Sequence, residues 1–354
     1  MAEKLKKLRA FMAEKNAEAM YVTNLSSIRY LSGFSGSSAL LLISEKEAHF
    51  FTDFRYKEQS AQEVSAEFEI HIGKKLLEES TAFIGNAKRV GFESKYATYS
   101  FYEELKKLLG DRELLPLPDY IMELRSTKTD EEIEKIERAQ RITDKVFSEV
   151  LEIIYPDMTE LELAAEIEYR MKRHGAEGFA FSTIVASGPH SALPHARPRP
   201  VKLGRETMVV MDFGARLDGY NSDMTRTIWI GNSPDPKFLE IYEITLKAQT
   251  LAEERARIGM KAADLDGIAR NYIKERGYGE QFGHGLGHGV GLDVHELPRV
   301  AESSEEILRE NTVFTVEPGI YLPGFGGVRI EDMVVLRKDG PRILTASSKE
   351  LIKV

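Results

Sequence analysis

Four acidic residues and one histidine in the C-terminal part of the chain have the types and surroundings expected of a dinuclear metal site. Each lies in a segment predicted as a strand or tight turn; they are Asp212, Asp223, His288, Glu317 and Glu331. With a neutral imidazole the set carries four negative charges, which two divalent cations would balance. Two such ions held about 3.5–4 Å apart activate water at neutral pH and polarise a carbonyl group. The set therefore predicts hydrolysis.

The two aspartates are predicted to lie on paired strands. Asp212 follows the apolar run Met208–Met211, which predicts a buried strand. A buried carboxylate is costly unless a cation or strong donors compensate it, so we favour a metal ligand over a structural ion pair. The Asp-Gly turn within Leu217–Gly219 is a strong hairpin signal, and it brings Asp223 back alongside Asp212.

The two glutamates come from a later part of the chain. The apolar run Val313–Val316 leads directly to Glu317. Side chains alternate along a strand, so Glu331 and Asp332 must point to opposite faces, and we select Glu331 as the ligand. Thr225 and Asp332 are candidates for orienting the ligands from behind.

The histidine lies in the glycine-rich segment GHGLGHGVGLDVHE, which holds three of the eight histidines. We predict His288 as the ligand, with His284 and His295 beside it. Glycine permits close backbone approach to a site. The segment follows a predicted helix and lacks the G-x-G-x-x-G spacing, which argues against a dinucleotide loop. Oxygen ligands with one imidazole suit Mn²⁺, Co²⁺, Fe²⁺ or Zn²⁺.

Composition limits the class of protein. A chain of 354 residues predicts two domains, and 42% hydrophobic with 30% charged residues is ordinary for a globular protein. The formal charge of −9 and the lack of a basic stripe argue against a nucleic-acid partner. No apolar run approaches the roughly 18 residues of a membrane span. Without cysteine there are no disulfides. The first 16 residues predict an amphipathic helix rather than a signal peptide, so we expect a cytoplasmic protein.

Two domains are predicted, residues 1–124 and 125–354. Strands alternating with helices indicate a small α/β domain first. Its predicted strands are Ala19–Val22, Ala39–Ile43 and Ala48–Phe51, and its predicted helices are Phe54–Val64 and Lys74–Asn86. Two prolines in Leu115–Pro118 are expected to stop regular structure before the boundary near Arg125.

The second domain is predicted to be an internal duplication. Capping boxes at Thr129/Glu132 and Thr159/Glu162 each predict the start of a helix. The second helical segment, PDMTELELAAEIEYRMKRHG, resembles IGMKAADLDGIARNYIKERG about 100 residues later. TMVVMDFGA likewise resembles TVFTVEPGI, which aligns Asp212 with Glu317. Each half would then supply two carboxylates to the seam between them.

These motifs resemble those of a known family. The segments DFG…SDMTRT, HGLGHGVGLDVHE, TVEPGIY and GVRIED are similar to those of the pita-bread metallopeptidases, within them the Xaa-Pro aminopeptidase and Xaa-Pro dipeptidase (prolidase) branch. The segments YLSGFSGSSALLL and FTDFRYKEQ resemble the creatinase-type N-terminal domain of that branch. The resemblance implies an α+β protein, in which a smaller α/β domain precedes a pita-bread domain with an internal pseudo-twofold repeat.

The resemblance also implies roles for individual residues. The five residues above would hold two divalent ions, with Mn²⁺ favoured and Co²⁺, Zn²⁺ or Fe²⁺ open. His195, His295 and Glu317 would be catalytic, with Glu317 as the proton shuttle. His284, Arg329 and Tyr321 would line the substrate pocket or support the ligands. His190 matches no family role, and we interpret it as a surface-loop histidine. A homodimer is implied, in which each N-terminal domain helps wall the partner's active site.

The expected reaction is removal of an N-terminal residue that precedes proline in a small peptide. Aminopeptidase and dipeptidase activities are hard to separate, because they differ in whether the site must bind the carboxylate just after proline. Aminopeptidase is slightly favoured, since no basic residue stands out as a carboxylate clamp, although Arg197 and Arg299 are candidates. The alternatives are a methionine aminopeptidase and a non-hydrolytic binding protein on the same fold.

Overall fold

A six-stranded mixed sheet is the frame of the N-terminal unit. The computed structural model describes all 354 residues, which separate into two compact units, Met1–Arg125 and Ser126–Val354. The sheet has the strand order β4-β3-β2-β1-β5-β6. Its strands are β1 (Ala19–Val22), β2 (Leu40–Ser44), β3 (Ala48–Thr52), β4 (Glu69–Ile72), β5 (Arg89–Glu93) and β6 (Glu113–Leu117). The helices are α1 (Ala2–Glu14), α2 (Leu25–Ser32), α3 (Lys57–Glu63), α4 (Leu76–Ser80), α5 (Tyr99–Leu109) and α6 (Tyr120–Ser126).

Hydrophobic periodicity accounts for most of these elements. The predicted amphipathic first helix is confirmed as α1, whose apolar positions Leu5, Leu8, Phe11 and Met12 are all buried. The three predicted strands are confirmed as β1, β2 and β3 within a residue or so at each end. The two predicted helices are shorter than expected: a 3-10 turn precedes α3 and another follows α4.

One expectation for this unit is wrong in part. Pro116 does not stop regular structure, because it lies inside β6 and pairs with Phe92 of β5, whereas the strand does end at Leu117, directly before Pro118. A proline removes one N–H donor and is therefore tolerated on an edge strand. Since β6 is the last strand of the sheet, its outer side needs no partner there.

The C-terminal unit combines four long helices with several small sheets. Its helices are α7 (Asp130–Leu151), α8 (Glu160–Arg173), α9 (Pro236–Arg255) and α10 (Ala262–Glu275). Its first strands are β7 (Gly178–Phe179), β8 (Ile184–Ser187), β9 (Thr207–Phe213), β10 (Ala215–Leu217), β11 (Tyr220–Asn221) and β12 (Met224–Ile230). The later ones are β13 (Gly287–Gly289), β14 (Glu296–Val300), β15 (Val313–Val316), β16 (Gly319–Leu322), β17 (Gly326–Arg329), β18 (Asp332–Arg337) and β19 (Gly340–Ile343). The principal sheets are β12-β9-β8 and β14-β13-β15-β18-β19.

Both predicted capping boxes are present at the starts of α7 and α8. In each, the threonine side chain accepts from the glutamate N–H and the glutamate carboxylate accepts from the threonine N–H, which satisfies two otherwise unpaired donors. These helices pack on β9 and β12 through a buried apolar cluster. No helix of the chain is both long enough and apolar enough to cross a bilayer.

Backbone hydrogen bonds repeat between the two halves of this unit. Helices α8 and α10 each begin beside an extended segment. In both places two backbone hydrogen bonds join the start of the helix to that segment, with donors and acceptors at equivalent positions. The first pair is Leu203 N–H to Met158 O (2.8 Å) and Glu160 N–H to Val201 O (3.0 Å); its counterpart is Leu308 N–H to Met260 O (2.9 Å) and Ala262 N–H to Glu306 O (2.9 Å). The matched bonds support the duplication that was inferred from the sequence.

The predicted hairpin that carries the two aspartates is divided into more strands than expected. It forms four strands, β9 to β12, instead of two. At Gly214 the Ser222 carbonyl approaches so closely that an added Cβ would lie 1.9 Å from its oxygen. The strand pair is therefore interrupted there, and Asp218 and Gly219, with φ of 51° and 79°, form the predicted turn at the tip.

The last residues of the chain complete the outer side of β12. The Trp229 N–H donates to Ile352 O at 3.0 Å, and the Val354 N–H donates back to Trp229 O at 3.0 Å. Nearby, Lys349 Nζ lies 2.7 Å from Asp332 Oδ2 and 2.5 Å from Glu253 Oε2. The C-terminal segment is thus part of the packed unit.

Candidate metal centre

Strands of both halves of the duplicated unit carry the five predicted ligands. Asp212 lies in β9, Asp223 just before β12, His288 in β13, Glu317 just after β15 and Glu331 just before β18. In the first half β9 and β12 are antiparallel neighbours, with Asp212 opposite Thr225. In the second half β15 pairs with both β13 and β18.

The imidazole of His288 faces the carboxylates. Its Nε2 lies 3.3 Å from Glu317 Oε1 and 3.6 Å from Asp223 Oδ2. One ligand atom each from Asp223, His288 and Glu331 lie within 4.8 Å of one another. On the other side of the ring, Nδ1 lies 3.1 Å from the Gly289 carbonyl oxygen. A proton on Nδ1 would satisfy that carbonyl and leave the Nε2 lone pair free for a metal ion.

The charges of the cluster are not balanced by protein groups. Burial, and then the charges of Glu331 and Asp212, raise the pKa of Asp223 well above its ordinary value. Burial, followed by Glu317 and Asp212, does the same to the pKa of Glu331. Arg329 Nη2 donates to Asp212 Oδ2 at 2.6 Å, yet the other oxygen, Oδ1, is buried with no hydrogen-bond partner. Four converging carboxylates, one guanidinium and an unpartnered carboxylate oxygen fit a site for divalent cations.

A hydrogen-bonded support lies behind Asp212 and Glu331, one ligand from each half. Thr225 Oγ1 donates to Glu331 Oε2 at 2.6 Å and accepts from Arg329 Nε at 3.0 Å. Arg329 also donates to the Tyr321 hydroxyl at 2.9 Å. One guanidinium therefore connects Asp212, Thr225 and Tyr321, which holds the carboxylates in place.

Thr315 provides a similar support in the second half. Its hydroxyl accepts a hydrogen bond from the His288 N–H at 3.1 Å and donates one to Glu317 Oε1 at 3.1 Å. Sequence reasoning missed this residue. The signal was available, because Thr315 lies two residues before Glu317 in a strand and so faces the same side.

Asp332, a predicted orienting residue, does not contact the carboxylate cluster directly. It points away, as alternation requires, and pairs with Arg226 at 2.6 Å and Lys349 at 2.7 Å. Arg226 Nη1 in turn donates to the Glu331 carbonyl oxygen at 2.5 Å. Asp332 therefore acts on the backbone of Glu331 through Arg226.

Three further histidines were predicted to face the substrate. His284 Nε2 lies 2.9 Å from the Tyr321 hydroxyl, and burial lowers the pKa of its imidazole. The His295 ring centroid is 4.3 Å from that of His288. Burial, then the neighbouring His288 and His195, lower the pKa of His295 to about 4, so its ring is neutral at pH 7. His195 is exposed, on a loop that follows the 3-10 turn Gly188–Ala192.

The interpretation of His190 as a surface-loop histidine is wrong. Its side chain is only 9% exposed, and its Nδ1 lies 3.1 Å from both oxygens of the fully buried Glu160 carboxylate. The same carboxylate accepts from Ser187 N–H and from the Arg199 guanidinium. His190 therefore helps to fix the loop that carries His195.

The arrangement defines a class of protein. A duplicated unit whose two halves each direct two carboxylates, with one imidazole, toward a single cluster has the ligand chemistry of a metal-dependent hydrolase. Comparison of the sequence with known families agrees. Residues 134–338 match Metallopeptidase family M24, and residues 4–127 match the Creatinase/Prolidase N-terminal domain. The chain belongs to metallopeptidase family M24, and the expected α+β pita-bread architecture is confirmed.

Similar proteins match the chain over its whole length. An Xaa-Pro dipeptidase of Pyrococcus horikoshii is 44% identical over 355 aligned residues, which cover 99% of each chain. The structure of an Xaa-Pro dipeptidase from Bacillus anthracis superposes with a TM-score of 0.96 at 40% identity, covering 100% of this chain and 99% of that one. The structure of an X-Pro aminopeptidase from Thermotoga maritima superposes with a TM-score of 0.89 at 40% identity, covering 96% of this chain and 98% of that one.

Proposed function

We propose that this protein is a metal-dependent Xaa-Pro dipeptidase, which hydrolyses the bond between an N-terminal residue and a following proline. The observation that carries the proposal is the convergence of Asp223, His288 and Glu331, with Glu317 3.3 Å from the same imidazole. The names of the full-length relatives support the substrate class. A methionine aminopeptidase is not favoured, because the N-terminal unit matches the Creatinase/Prolidase N-terminal domain.

The cluster would hold two divalent cations. Asp212, Asp223, His288, Glu317 and Glu331 supply oxygen ligands and one imidazole, a set that suits Mn²⁺ and also Co²⁺, Fe²⁺ or Zn²⁺. When bound, such a pair supplies Lewis-acid activation of water and of the scissile carbonyl. We propose Mn²⁺ as the native ion.

The protein's own groups would move protons and stabilise charge. Burial raises the pKa of Glu317, which suits this carboxyl to take a proton from water and pass it to the proline nitrogen. The neutral ring of His295 can donate an N–H hydrogen bond to the oxygen of the tetrahedral intermediate. His195 would face the substrate from the exposed loop. His284 and Tyr321 would line the pocket beside Arg329.

Arg299 supports the choice of a dipeptidase over the aminopeptidase that the sequence slightly favoured. It is the antiparallel register partner of His288, and such partners project from the same face of a sheet. Its side chain is exposed, as required of a group that binds substrate. An Arg guanidinium can bind a carboxylate through two parallel hydrogen bonds. Arg299 would therefore bind the free carboxylate of an Xaa-Pro dipeptide, whereas Arg197 lies on the exposed loop near His195.

The test compares three substrates with Mn²⁺ present: Ala-Pro, Ala-Pro-Ala and the amide Ala-Pro-NH₂, which lacks the carboxylate. We expect kcat/KM for Ala-Pro to exceed that for the amide by at least about tenfold, which corresponds to about 1.4 kcal/mol. Arg299→Ala should remove this preference, whereas Arg197→Ala should keep it. Equal rates on dipeptide and tripeptide in the unaltered protein would favour an aminopeptidase, and no Mn²⁺-dependent cleavage of either would contradict the proposal.

The oligomeric state is a separate proposal. The homodimer implied by the family resemblance can be tested by size-exclusion chromatography with light scattering. A mass of about 80 kDa, twice the 40.0 kDa of one chain, is expected.

A further inference from the structure

A second cluster of metal-binding side chains lies in the N-terminal unit, on the sheet's edge strand and its neighbour. His49 belongs to β3, and Glu69 and His71 belong to the edge strand β4. The two strands are parallel, with His49 opposite Glu69. Because side chains alternate along a strand, His71 projects from the same face as Glu69, so the three side chains share one face.

The donor atoms of this cluster converge. His49 Nδ1 lies 3.1 Å from His71 Nε2, and Glu69 Oε2 lies 3.5 Å from His49 Nδ1. Glu69 Oε1 lies 3.9 Å from His71 Nε2. Two imidazole nitrogens bound at about 2.0–2.1 Å to one tetrahedral ion are about 3.3 Å apart. The observed separations are close to that spacing, and all three ligand atoms lie within 4.8 Å of one another.

Aromatic packing holds both imidazoles in position. The His71 ring stacks on Phe51, with centroids 4.7 Å apart and planes 20° apart, and its other neighbour Phe83 lies at 4.2 Å. Phe83 also packs on His49, with centroids 4.8 Å apart. Ligands fixed in this way lose little conformational freedom when an ion binds.

The opposite nitrogen of His49 agrees with a ligand role. His49 Nε2 is buried and has no hydrogen-bond partner, and the nearest carboxylate, Glu47 Oε2, is 3.5 Å away. A proton on Nε2 directed at Glu47 would leave the Nδ1 lone pair facing His71 and Glu69. A carboxylate behind a ligating imidazole is a common way to fix its tautomer.

We propose that His49, Glu69 and His71 form a mononuclear site for a borderline divalent transition metal, Zn²⁺ above all, separate from the catalytic cluster. Two imidazoles and one carboxylate suit Zn²⁺, Co²⁺, Ni²⁺ or Cu²⁺ better than Ca²⁺ or Mg²⁺, which prefer oxygen ligands. The side chain of Glu69 is 66% exposed, so ions can enter and water can fill the fourth position. The ion would join the four-residue edge strand β4 to β3 and stabilise the margin of the sheet.

The test measures Zn²⁺ bound per full-length chain by equilibrium dialysis and elemental analysis, in the unaltered protein and in His71→Gln. We expect the variant to lose one equivalent and to keep its Mn²⁺-dependent peptidase activity. His174→Gln, which changes a histidine paired with Glu149 in the other unit, is the matched control and should keep the full complement. An unchanged Zn²⁺ content in His71→Gln would overturn the proposal.

A second variant guards against misfolding. Glu69→Gln alters an exposed side chain and should weaken Zn²⁺ binding at this site at least tenfold with the circular dichroism spectrum unchanged. Asp223→Ala should leave the equivalent at this site intact, so failure of the catalytic assignment would be visible separately. If both Glu69→Gln and His71→Gln bind Zn²⁺ like the unaltered protein, the pair His49–His71 is only a hydrogen bond.

Discussion

Thr225 Oγ1 lies 2.6 Å from Glu331 Oε2, so a hydroxyl of the first half of the duplicated unit holds a carboxylate of the second. The bond is buried and crosses 106 residues of sequence. A carboxylate that loses its supporting donor becomes a poorer and more mobile ligand. Through this contact, the first half therefore helps to fix the position of a ligand that belongs to the second half.

Thr225→Val removes that hydroxyl while keeping the shape of the side chain. We expect affinity for Mn²⁺ to fall about 10–100-fold, the usual effect of removing a group that orients a metal ligand. Isothermal titration of the metal-free protein measures it. Thr250→Val, whose hydroxyl donates only to the Leu246 carbonyl within α9, is the control and should bind Mn²⁺ normally. Equal affinities of the two variants would contradict the assigned support.

Asp223→Ala should remove metal and activity together. Asp223 is buried among three other carboxylates, and loss of a ligand should lower Mn²⁺ affinity at least about a hundredfold, beyond the effect of a supporting group. Metal content and cleavage of Ala-Pro report the two losses independently. Asp157→Ala, which removes an exposed carboxylate paired with Lys202, should change neither. Full activity in Asp223→Ala would refute the ligand set.

Asp332→Asn tests the ion pair behind Glu331. The change leaves the buried Arg226 without its carboxylate partner at 2.6 Å, and breaking a buried pair costs about 3–5 kcal/mol. We expect the lower end of this range, because Arg226 keeps its bonds to backbone carbonyls. Urea unfolding measures the loss as a lower midpoint at an unchanged slope. Asp339→Asn, at an exposed position, should be neutral, and a similarly neutral Asp332→Asn would show that the pair adds no net stability.

Glu160 should make stability depend on pH. Burial acts to raise the pKa of this carboxyl, but hydrogen bonds from Arg199, Ser187 and His190 outweigh it, and the pKa lies below the ordinary 4.5. A carboxyl with a lowered folded-state pKa adds stability above the unfolded-state pKa and loses it as the pH falls through the folded-state pKa. We expect Glu160→Gln to cost about 2 kcal/mol at pH 7, in the range for hydrogen bonds to a charged group.

The measurement for Glu160 is the free energy of unfolding of both proteins between pH 7 and pH 3. The difference in free energy of unfolding between Glu160→Gln and the unaltered protein should become smaller below pH 4.5, because the carboxyl becomes protonated. Glu168→Gln, on the same helix, is the matched control. A gap that stays constant down to pH 3 would contradict the proposed linkage.

Local signals in the sequence predicted the elements well where backbone chemistry decides the outcome. The capping boxes at Thr129 and Thr159 start helices because their side chains satisfy end N–H groups whatever the surroundings. The turn at Asp218 and Gly219 is equally local, since it requires two residues with positive φ. Alternation also separated Glu331 from Asp332 correctly, because a strand has two faces.

Features that depend on tertiary neighbours could not be predicted in this way. Pro116 is tolerated in a strand only because that strand is the edge of its sheet, and edge position is a property of the whole topology. The His190 side chain is mostly covered because it pairs with the buried carboxylate of Glu160, thirty residues earlier. The cluster around His49 involves residues 20 and 22 positions further on, and it becomes visible only when the parallel register of β3 and β4 is known.

The pairing of the last residues with Trp229 bears on how the protein can be handled. Cutting the chain before Lys349 would expose one side of β12 and take a cation from Asp332, the partner of the arginine beneath Glu331. Removing the last residues would thus weaken the support of a predicted metal ligand without changing the ligand itself. A purification tag is therefore better joined to the N-terminus.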